Sequence, residues 1–389
     1  MRRELLIAVG PGEWRAAWVE DGIPVELHVE RGDIHPAGSV HLGRVVRLAA
    51  SLDAVLVDIG EERPGFLPVR GDPPHEGARL LVQVRREAQR GKGARLSARI
   101  AEADRLAAGA AALGPPARLY PEPGFAGSLK QRLPGYPDRV LADDLAPLRE
   151  LRQAFPDTEI AQSPIGDWPL DFDALFDSAL APTVPLPGVG AIHIDEGRAA
   201  VLIDVDTGSP ETGSAERSAR RANLAAARMI ARQLRLRQLG GGIVIDFAAL
   251  DAARERERVR QAVAAALADD PAQPQLLGWT RLSHLEIVRP RRFRSLSETM
   301  LAPPGRCKKA ATLAFEALRR LAAEARVNPA ANWRLMVIPA VEAALRGPAA
   351  AALGALELRL GRRIAIAPLA AGEPSRPDRD TQPFDIVAL

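Results

Sequence analysis

Cysteine is almost absent from this 389-residue chain: Cys307 stands alone, so no intrachain disulfide can form. A reducing, cytoplasmic compartment is the natural expectation. Aromatic residues make up only 4% of the chain, so any core must be assembled from Leu, Val, Ile and Ala. Hydrophobic residues reach 47%, which is enough to build one. No apolar run approaches the roughly 20 residues of a membrane-spanning helix, so no membrane span is expected. The opening MRRELLIAVG starts basic, but its short apolar run alternates like a strand and argues against a cleaved leader. Lysine is also scarce. Lys92, Lys130, Lys308 and Lys309 are the only ones, so nearly all of the 52 basic residues are arginine. The arginine fork suits phosphate. Ala, Gly and Pro run high alongside it, however, and genomic base composition explains most of the bias. A net charge of +3 and a pI near 9.4 point only weakly to a polyanionic partner.

What is present divides into units. At roughly 100–200 residues per domain the length suggests two to four of them. Residues 1–34 read as short strands around Gly10-Pro11-Gly12 and Asp21-Gly22. Residues 35–100 hold five short strands between Gly-rich turns, the texture of a small barrel. Residues 101–113 are Ala-rich and read as helix, and GPPARLYPEPGFAG reads as loop. VLADDLAPLRELRQAF reads as a strand end and a helix. Residues 178–300 carry the strongest pattern: AAVLIDVDTG, a long helix, GGGIVIDFAAL, a second helix, then HLEIVRPRR as a third strand. The breaker APPGRCKK precedes a final stretch of helix, strand, Ala-rich helix and the last strand RIAIAPL. AGEPSRPDRDTQP reads as a mobile loop.

Two of these strands end in an acid, Val201-Leu202-Ile203-Asp204 and Ile243-Val244-Ile245-Asp246. One helix lies between them, closed by Gly240 and Gly241. Strand, helix, strand is the unit that builds neighbouring parallel strands. If these two pair, both carboxylates emerge at the carboxyl edge where open α/β sheets place ligands. Carboxylates that close repel unless a proton or a cation intervenes. Two are enough for Mg²⁺, which prefers oxygen donors and keeps much of its water. A single Asp after a strand reads as a turn cap. Two, each after an apolar strand and joined by one helix, read as a metal site. Asp206 faces the same side if the strand continues. Arg235 and Arg237 at the helix end, and Arg289, Arg291, Arg292 and Arg294 beyond the third strand, could grip successive phosphates. For Arg235 and Arg237, cations favoured at a helix C-terminus explain the sequence equally well.

With these residues in view, the sequence resembles the bacterial ribonuclease E/G family. FDALFDSAL with VPLPGVGAIHIDEGRAAVLIDVDTG, then NLAAARMIARQLRLRQLGGGIVIDF and HLEIVRPRRFRSL, is similar to its catalytic domain. VHLGRVVRLAASLDAVLVDIGEERPGFLPV and GKGARLS resemble its S1-type barrel, and PFDIVAL the end of its short, G-like members. The resemblance implies a multidomain α/β fold with an inserted S1-type (OB-fold) β-barrel, a DNase I-like α/β catalytic domain and a small C-terminal α/β domain. The expected divisions are an RNase H-like part at 1–34 and the barrel at 35–100. Residues 101–177 hold a reduced 5′-sensor remnant and the second RNase H-like part. The catalytic domain spans 178–302, a degenerate zinc link 303–309 and the C-terminal domain 310–389. The implied activity is Mg²⁺-dependent cleavage of single-stranded RNA to 5′-phosphate and 3′-hydroxyl ends. By position, Asp204 and Asp246 match the metal-binding aspartates, Asn223 and Glu286 match supporting positions, and Asp206 stands at a supporting position where an Asn is common. Phe66, Lys92, Arg235, Arg237, Arg289 and Arg291 match positions that contact RNA or recur in the catalytic domain. An aromatic face beside a cation is a common way to hold single strands, although Phe66 also reads as a barrel-core residue.

Departures from the family pattern narrow these expectations. Leu56 and Ile59 replace aromatics common in the barrel, so weaker stacking is expected there. Residues 101–135 are short and lack the Arg-Thr motif for a 5′-monophosphate. Pro304 and Cys307 stand where the family has a CxxC, and one thiolate cannot build that tetrahedral site, so no zinc is expected. Ala225 and Ala249 replace acids usual in the family. The resemblance implies a homodimer, whose geometry is open without zinc. The competing reading is a non-catalytic RNA-binding accessory protein of RNA processing or ribosome maturation, favoured by the reduced centre and opposed by the surviving Asp pair. A DNA nuclease on the same catalytic unit is a third.

Overall fold

Three strands open the chain: β1 (Arg3–Gly10), β2 (Glu13–Glu20) and β3 (Ile23–Arg31) form an antiparallel meander. Asp21 and Gly22 both take positive φ, which closes the second turn tightly. The structure is a computed structural model. It describes residues 2–32, 35–61, 63–89, 91–100, 110, 112–120, 125–208, 215–250, 252–302, 307–369 and 383–389.

The chain then leaves this sheet to build a barrel. β4 (Val40–Ala49), β5 (Ala54–Asp58), β6 (Gly65–Pro68), β7 (Arg79–Arg86) and β8 (Arg95–Ser97) close in the order β4–β5–β6–β8–β7 and back to β4. Val45, Val55, Val57, Ile59, Leu67, Val82, Val84 and Leu96 fill its interior. The expected five-stranded barrel is therefore present. The stretch read as loop holds a further strand, β9 (Ala117–Tyr120), paired with the start of β4. That strand is four residues long between prolines, too short for alternation to reveal. Most of the expected helix at 101–113 lies outside the described residues.

The chain returns through α1 (Phe125–Arg132), β10 (Arg139–Ala142), α2 (Leu148–Ala154) and β11 (Glu159–Gln162). β10 and β11 add in parallel beyond β1, giving the sheet order β11-β10-β1-β2-β3. Period-two alternation decides what covers each face. Leu5, Ile7, Trp14 and Trp18 pack with Leu129, Leu151 and Phe155 of the first two helices and the residue after them. Leu6, Ala17, Val19 and Leu27 pack with Phe172 and Phe176 on the other side. Those phenylalanines belong to α3 (Phe172–Leu180), whose N-cap Asp171 accepts a hydrogen bond from the Ala174 amide.

A second sheet follows: β12 (Thr183–Leu186), β13 (Gly190–Glu196), β14 (Ala200–Asp206), α4 (Ala215–Leu236), β15 (Gly241–Asp246), α5 (Ala253–Leu267), β16 (Gln275–Trp279) and β17 (Leu285–Arg289). The order is β12-β13-β14-β15-β17-β16, and only β14 and β15 run parallel. Residues Ala219, Ala222, Ala226, Ala227, Ile230 and Leu234 make one apolar stripe of α4 and pack on Ile203, Ile243 and Ile245. The helices lie on that face. The alternate residues Leu202, Asp204, Asp206 and Asp246 are exposed on the other.

A short capped helix, α6 (Leu296–Met300), and the two-strand ladder β18 (Leu301–Ala302) with β19 (Cys307–Lys308) lead onward. Cys307 is exposed and unbridged, and Pro304 lies outside the described residues. α7 (Ala310–Val327), β20 (Trp333–Val337), α8 (Pro339–Arg346), α9 (Ala350–Leu360), β21 (Ala365–Pro368) and β22 (Phe384–Ala388) complete the chain. RIAIAPL is thus not the last strand, because PFDIVAL returns antiparallel to β20. The loop expected at AGEPSRPDRDTQP falls outside the described residues. Among the described residues no helix is long and apolar enough to cross a membrane.

A buried ionic clasp fixes α7 on the first sheet. Glu13 accepts from Arg15 Nε at 2.8 Å and from Arg31 Nε at 2.5 Å. Arg15 also reaches Glu316 at 2.9 Å, and Arg31 donates to the Thr312 hydroxyl at 3.1 Å. Burial alone would push the Glu13 carboxyl up. The Arg31 and Arg15 charges outweigh it and hold the group down at about 2.

Candidate active site at the Asp204–Asp246 edge

The parallel ladder between β14 and β15 pairs Asp204 with Asp246 directly. Both follow apolar residues that alternate into the core, so both side chains must emerge on the open face. Neighbouring strands lie about 4.8 Å apart, which sets the separation of the two Cα atoms. The turn after β15 is held from below. Asn223 on α4 is fully buried, donates through Nδ2 to the Ala248 carbonyl at 2.8 Å and accepts from the Ala248 amide at 3.0 Å. That double bond fixes the backbone two residues beyond Asp246. Asp206 shares the face of Asp204, and its Oδ1 accepts from the Gly208 amide at 2.9 Å, closing the turn that leaves the strand. Gly190 opposes this turn so closely that a Cβ would sit 2.1 Å from the Asp206 carbonyl oxygen. Glu286 pairs with Val244 and so stands one row behind Asp246 on the same face, half-buried.

Two histidines extend the row. His193 pairs with Asp204 across β13 and β14, and its Nδ1 lies 3.0 Å from the Thr183 hydroxyl. His284 immediately precedes Leu285, the partner of Ile245, and its Nε2 lies 3.7 Å from Asp246 Oδ2. Neither was singled out in the sequence. His193 and Asp204 are equally distant from the turn at Arg198-Ala199, so counting out from that hairpin would have found the first. The second depends on the antiparallel return of β17, which no local signal announces.

The arginines expected around the acids are elsewhere. β17 runs antiparallel to β15, so Arg289 pairs with Gly241, at the other end of the strand from Asp246. Five residues of strand put it roughly 17 Å away. Arg289 is buried on Asp270, at 2.7 and 3.1 Å, and on the Leu239 carbonyl. Arg237 is buried on the Ala181 carbonyl and Gln233. Arg291 donates to the Gly240 carbonyl at 2.8 Å. Arg235 spans to Glu20 and Glu26, tying the end of α4 to the first sheet. Arg294 joins Glu61 of the barrel at 2.5 Å, and its amide reaches Glu87. Arg292 lies over the Phe293 ring. The geometry corrects the expectation that this group surrounds the Asp pair: Arg235, Arg237, Arg289, Arg291 and Arg294 bind the protein's own acceptors.

In the barrel, Phe66 faces outward. It is half-buried, outside the interior cluster, and pairs with Leu56 on one side and Arg95 on the other. Its amide donates to the Ala94 carbonyl at 2.7 Å, and Lys92 lies two residues before Ala94 in the chain. Gly93 permits that approach, since a Cβ there would stand 1.9 Å from the Pro64 carbonyl oxygen. Ile59 points into the barrel core, so its aliphatic side chain removes no stacking surface. Leu56 is the substitution that adjoins Phe66.

The donor set fits a hard divalent cation on two counts. Asp204 and Asp246 are unopposed by any Lys or Arg ion pair among the described residues. They also supply only oxygen. No three His, Cys, Asp or Glu side chains among the described residues converge into a ready-made cage, so the pair is an open, two-point site.

Comparison with known proteins agrees with this layout. A model described as the Ribonuclease E/G family matches residues 168–292, which contain both aspartates, Asn223 and both histidines. Ribonuclease G of Salmonella typhimurium (strain SL1344) is 25% identical over the whole of both chains. The chain is similar to the ribonuclease E/G family over residues 168–292, and to proteins named ribonuclease G along its whole length. Ribonuclease G of Haemophilus influenzae is 25% identical over 93% of this chain and 96% of its own. Ribonuclease E of Escherichia coli (strain K12) is 26% identical over 95% of this chain and 45% of its own. The alignment with the first of these family members runs to 498 positions, so that relative carries insertions this chain lacks.

Proposed function

We propose that this chain is a Mg²⁺-dependent endoribonuclease that cuts single-stranded RNA in cytoplasmic RNA processing or decay. It leaves a 5′-phosphate on one fragment and a 3′-hydroxyl on the other. The pairing of Asp204 with Asp246, inside the segment that matches the family model, is the observation that carries this reading. The relatives named ribonuclease G, which align with 93% or more of this chain, support it. On this reading the first sheet is RNase H-like, the barrel S1-type and the second sheet the DNase I-like catalytic domain. The expectation of a homodimer rests on the family resemblance alone.

Asp204 and Asp246 would hold the cation through carboxylate oxygen. Bound there, Mg²⁺ would offset charge on the phosphate and make a neighbouring water more acidic. Water attacks phosphorus in line, the P–O3′ bond breaks, and O3′ takes up a proton. Asn223 keeps the loop beyond Asp246 in place throughout. Phe66 and its strand partner Arg95 present an aromatic face beside a cation, a surface on which an unpaired base can stack, and Lys92 three residues before Arg95 would add a second charge.

A single-stranded oligonucleotide incubated with the protein in Mg²⁺ or in chelator tests the proposal, with a matched DNA strand beside it. Cleavage of RNA in Mg²⁺ alone is expected. Asp204→Asn and Asp246→Asn should each abolish cutting and leave RNA binding largely intact. Unchanged cleavage by both variants overturns the site. RNA binding without cleavage by the unaltered protein overturns the enzyme in favour of an accessory factor.

A further inference from the structure

Glu286 is half-buried, yet no hydrogen bond or ion pair engages its carboxylate among the described residues. A partly desolvated carboxylate without a donor is a cost that the fold itself leaves uncompensated. Glu286 lies in the row of side chains immediately behind the aspartate pair. It pairs with Val244, Val244 with Leu202, and Leu202 with Asp195. Direct neighbours in such a row keep their Cβ atoms about 4.5–5.5 Å apart. Two residues of strand, roughly 6.7 Å, separate this row from Asp204 and Asp246. That span is comparable to the one between a phosphate and the base of the same nucleotide.

The row forms a low apolar strip that ends on an acid. Leu202 is 52% exposed and Val288 40%, although both belong to interior strands of the sheet. Single exposed aliphatics need no explanation, but Leu202, Val244 and Val288 adjoin on one face that no helix covers. Gly242 pairs with Val288, and a bulge at Leu276–Gly278 sets Gly278 opposite Glu286. A Cβ at either glycine would meet nothing within 4 Å, so bare backbone borders the strip. A second copy of the chain is a poor occupant. An isologous contact here would set Asp195, Asp204, Asp206, Asp246 and Glu286 against the same acids of the other copy. A planar, uncharged base whose phosphate sits at the aspartate pair meets the apolar strip without that repulsion.

The acid at the end of the strip selects among bases. A carboxylate accepts and cannot donate. Guanine offers two adjacent N–H donors on its pairing edge, which fit the two oxygens of one carboxylate. Adenine and cytosine offer one amino group there. The single N–H of uracil lies between two carbonyl oxygens, which a carboxylate repels.

We propose that Glu286 is the specificity-determining residue of this site. With Leu202 and Val244 as the floor, it reads the base of a nucleotide flanking the scissile phosphate, favouring guanine and disfavouring uracil. The inference rests on the proposed cleavage at Asp204 and Asp246 and adds a base preference to it.

Sequencing of cut ends tests it. A single-stranded RNA with a randomised central segment is digested by the full chain in Mg²⁺, and the bases on either side of each cut are counted against the uncut pool. At one flanking position guanine should exceed uracil by about fivefold or more, the low end of what a good bidentate contact contributes. Glu286→Gln should bring that ratio to within about twofold of unity, because an amide donates as well as accepts. Circular dichroism confirms the fold of the variant. Cutting without preference at either position, or a Glu286→Gln variant that keeps the preference, overturns the inference while the aspartate pair stands. A folded Glu286→Gln variant that cuts nothing places the carboxylate in the reaction itself and overturns it as well. If D204N/D246N cuts as before, or the unaltered protein leaves RNA intact, the cleavage reading is lost, and this extension with it.

Discussion

Asn223 offers the sharpest test of how the site is held. Its amide makes both hydrogen bonds to one residue, Ala248, at 2.8 and 3.0 Å, from a fully buried position. The Ala248 amide and carbonyl thereby fix which way the side-chain amide points. Asn223→Ala removes two bonds and strands a backbone donor and acceptor. A net hydrogen bond contributes about 1 kcal/mol, and an unsatisfied buried group costs about 1–3 kcal/mol. The loop after Asp246 should therefore open more easily by about 2–4 kcal/mol, with amide exchange over residues 243–250 roughly 30- to 700-fold faster. Asn223→Asp should be at least as harmful, since it sets a carboxylate oxygen against the Ala248 carbonyl. Exchange followed by mass spectrometry reads the loop directly, and RNA cleavage should fall in step. Exchange that stays within twofold of the unaltered protein, at an unchanged cleavage rate, would refute the role of this amide.

Glu13 sets an acid limit on stability. Its folded pKa lies near 2 against an ordinary 4.5, so the contribution is present above about 4.5 and lost as pH falls towards 2. That depression corresponds to about 3 kcal/mol. Acid unfolding followed by tryptophan fluorescence should show Glu13→Gln less stable at neutral pH and less sensitive below pH 4.5. Arg235→Ala should cost about 1–3 kcal/mol through the lost charge-assisted bonds to Glu20 and Glu26, the latter keeping Gln238 and His28, with no change in the salt dependence of RNA binding. A shallower salt slope would restore it as a phosphate contact. Phe66→Ala should weaken single-strand binding by about 1–3 kcal/mol in a fluorescence anisotropy assay, and Leu56→Trp should tighten it. Unchanged affinity in both variants would remove the barrel face from the RNA path.

The sequence by itself determined those features that depend on short-range pattern. Apolar runs marked the strands ending in Asp204 and Asp246, and the single helix between them pointed to parallel strands, whose direct pairing the structure supplies. Turn residues and short runs marked the barrel. Tertiary structure decided the rest, because cross-strand partners lie far apart in the chain. The antiparallel return of β17 carried Arg289 and Arg291 to the far edge of the sheet and brought His284 beside Asp246. Pairing between β13 and β14 put His193 at the other end of the same row. Glu20 and Glu26 claimed Arg235 from more than two hundred residues away. A charge written in the sequence has no address until the sheet is closed, since a desolvated guanidinium takes the nearest acceptor the fold provides.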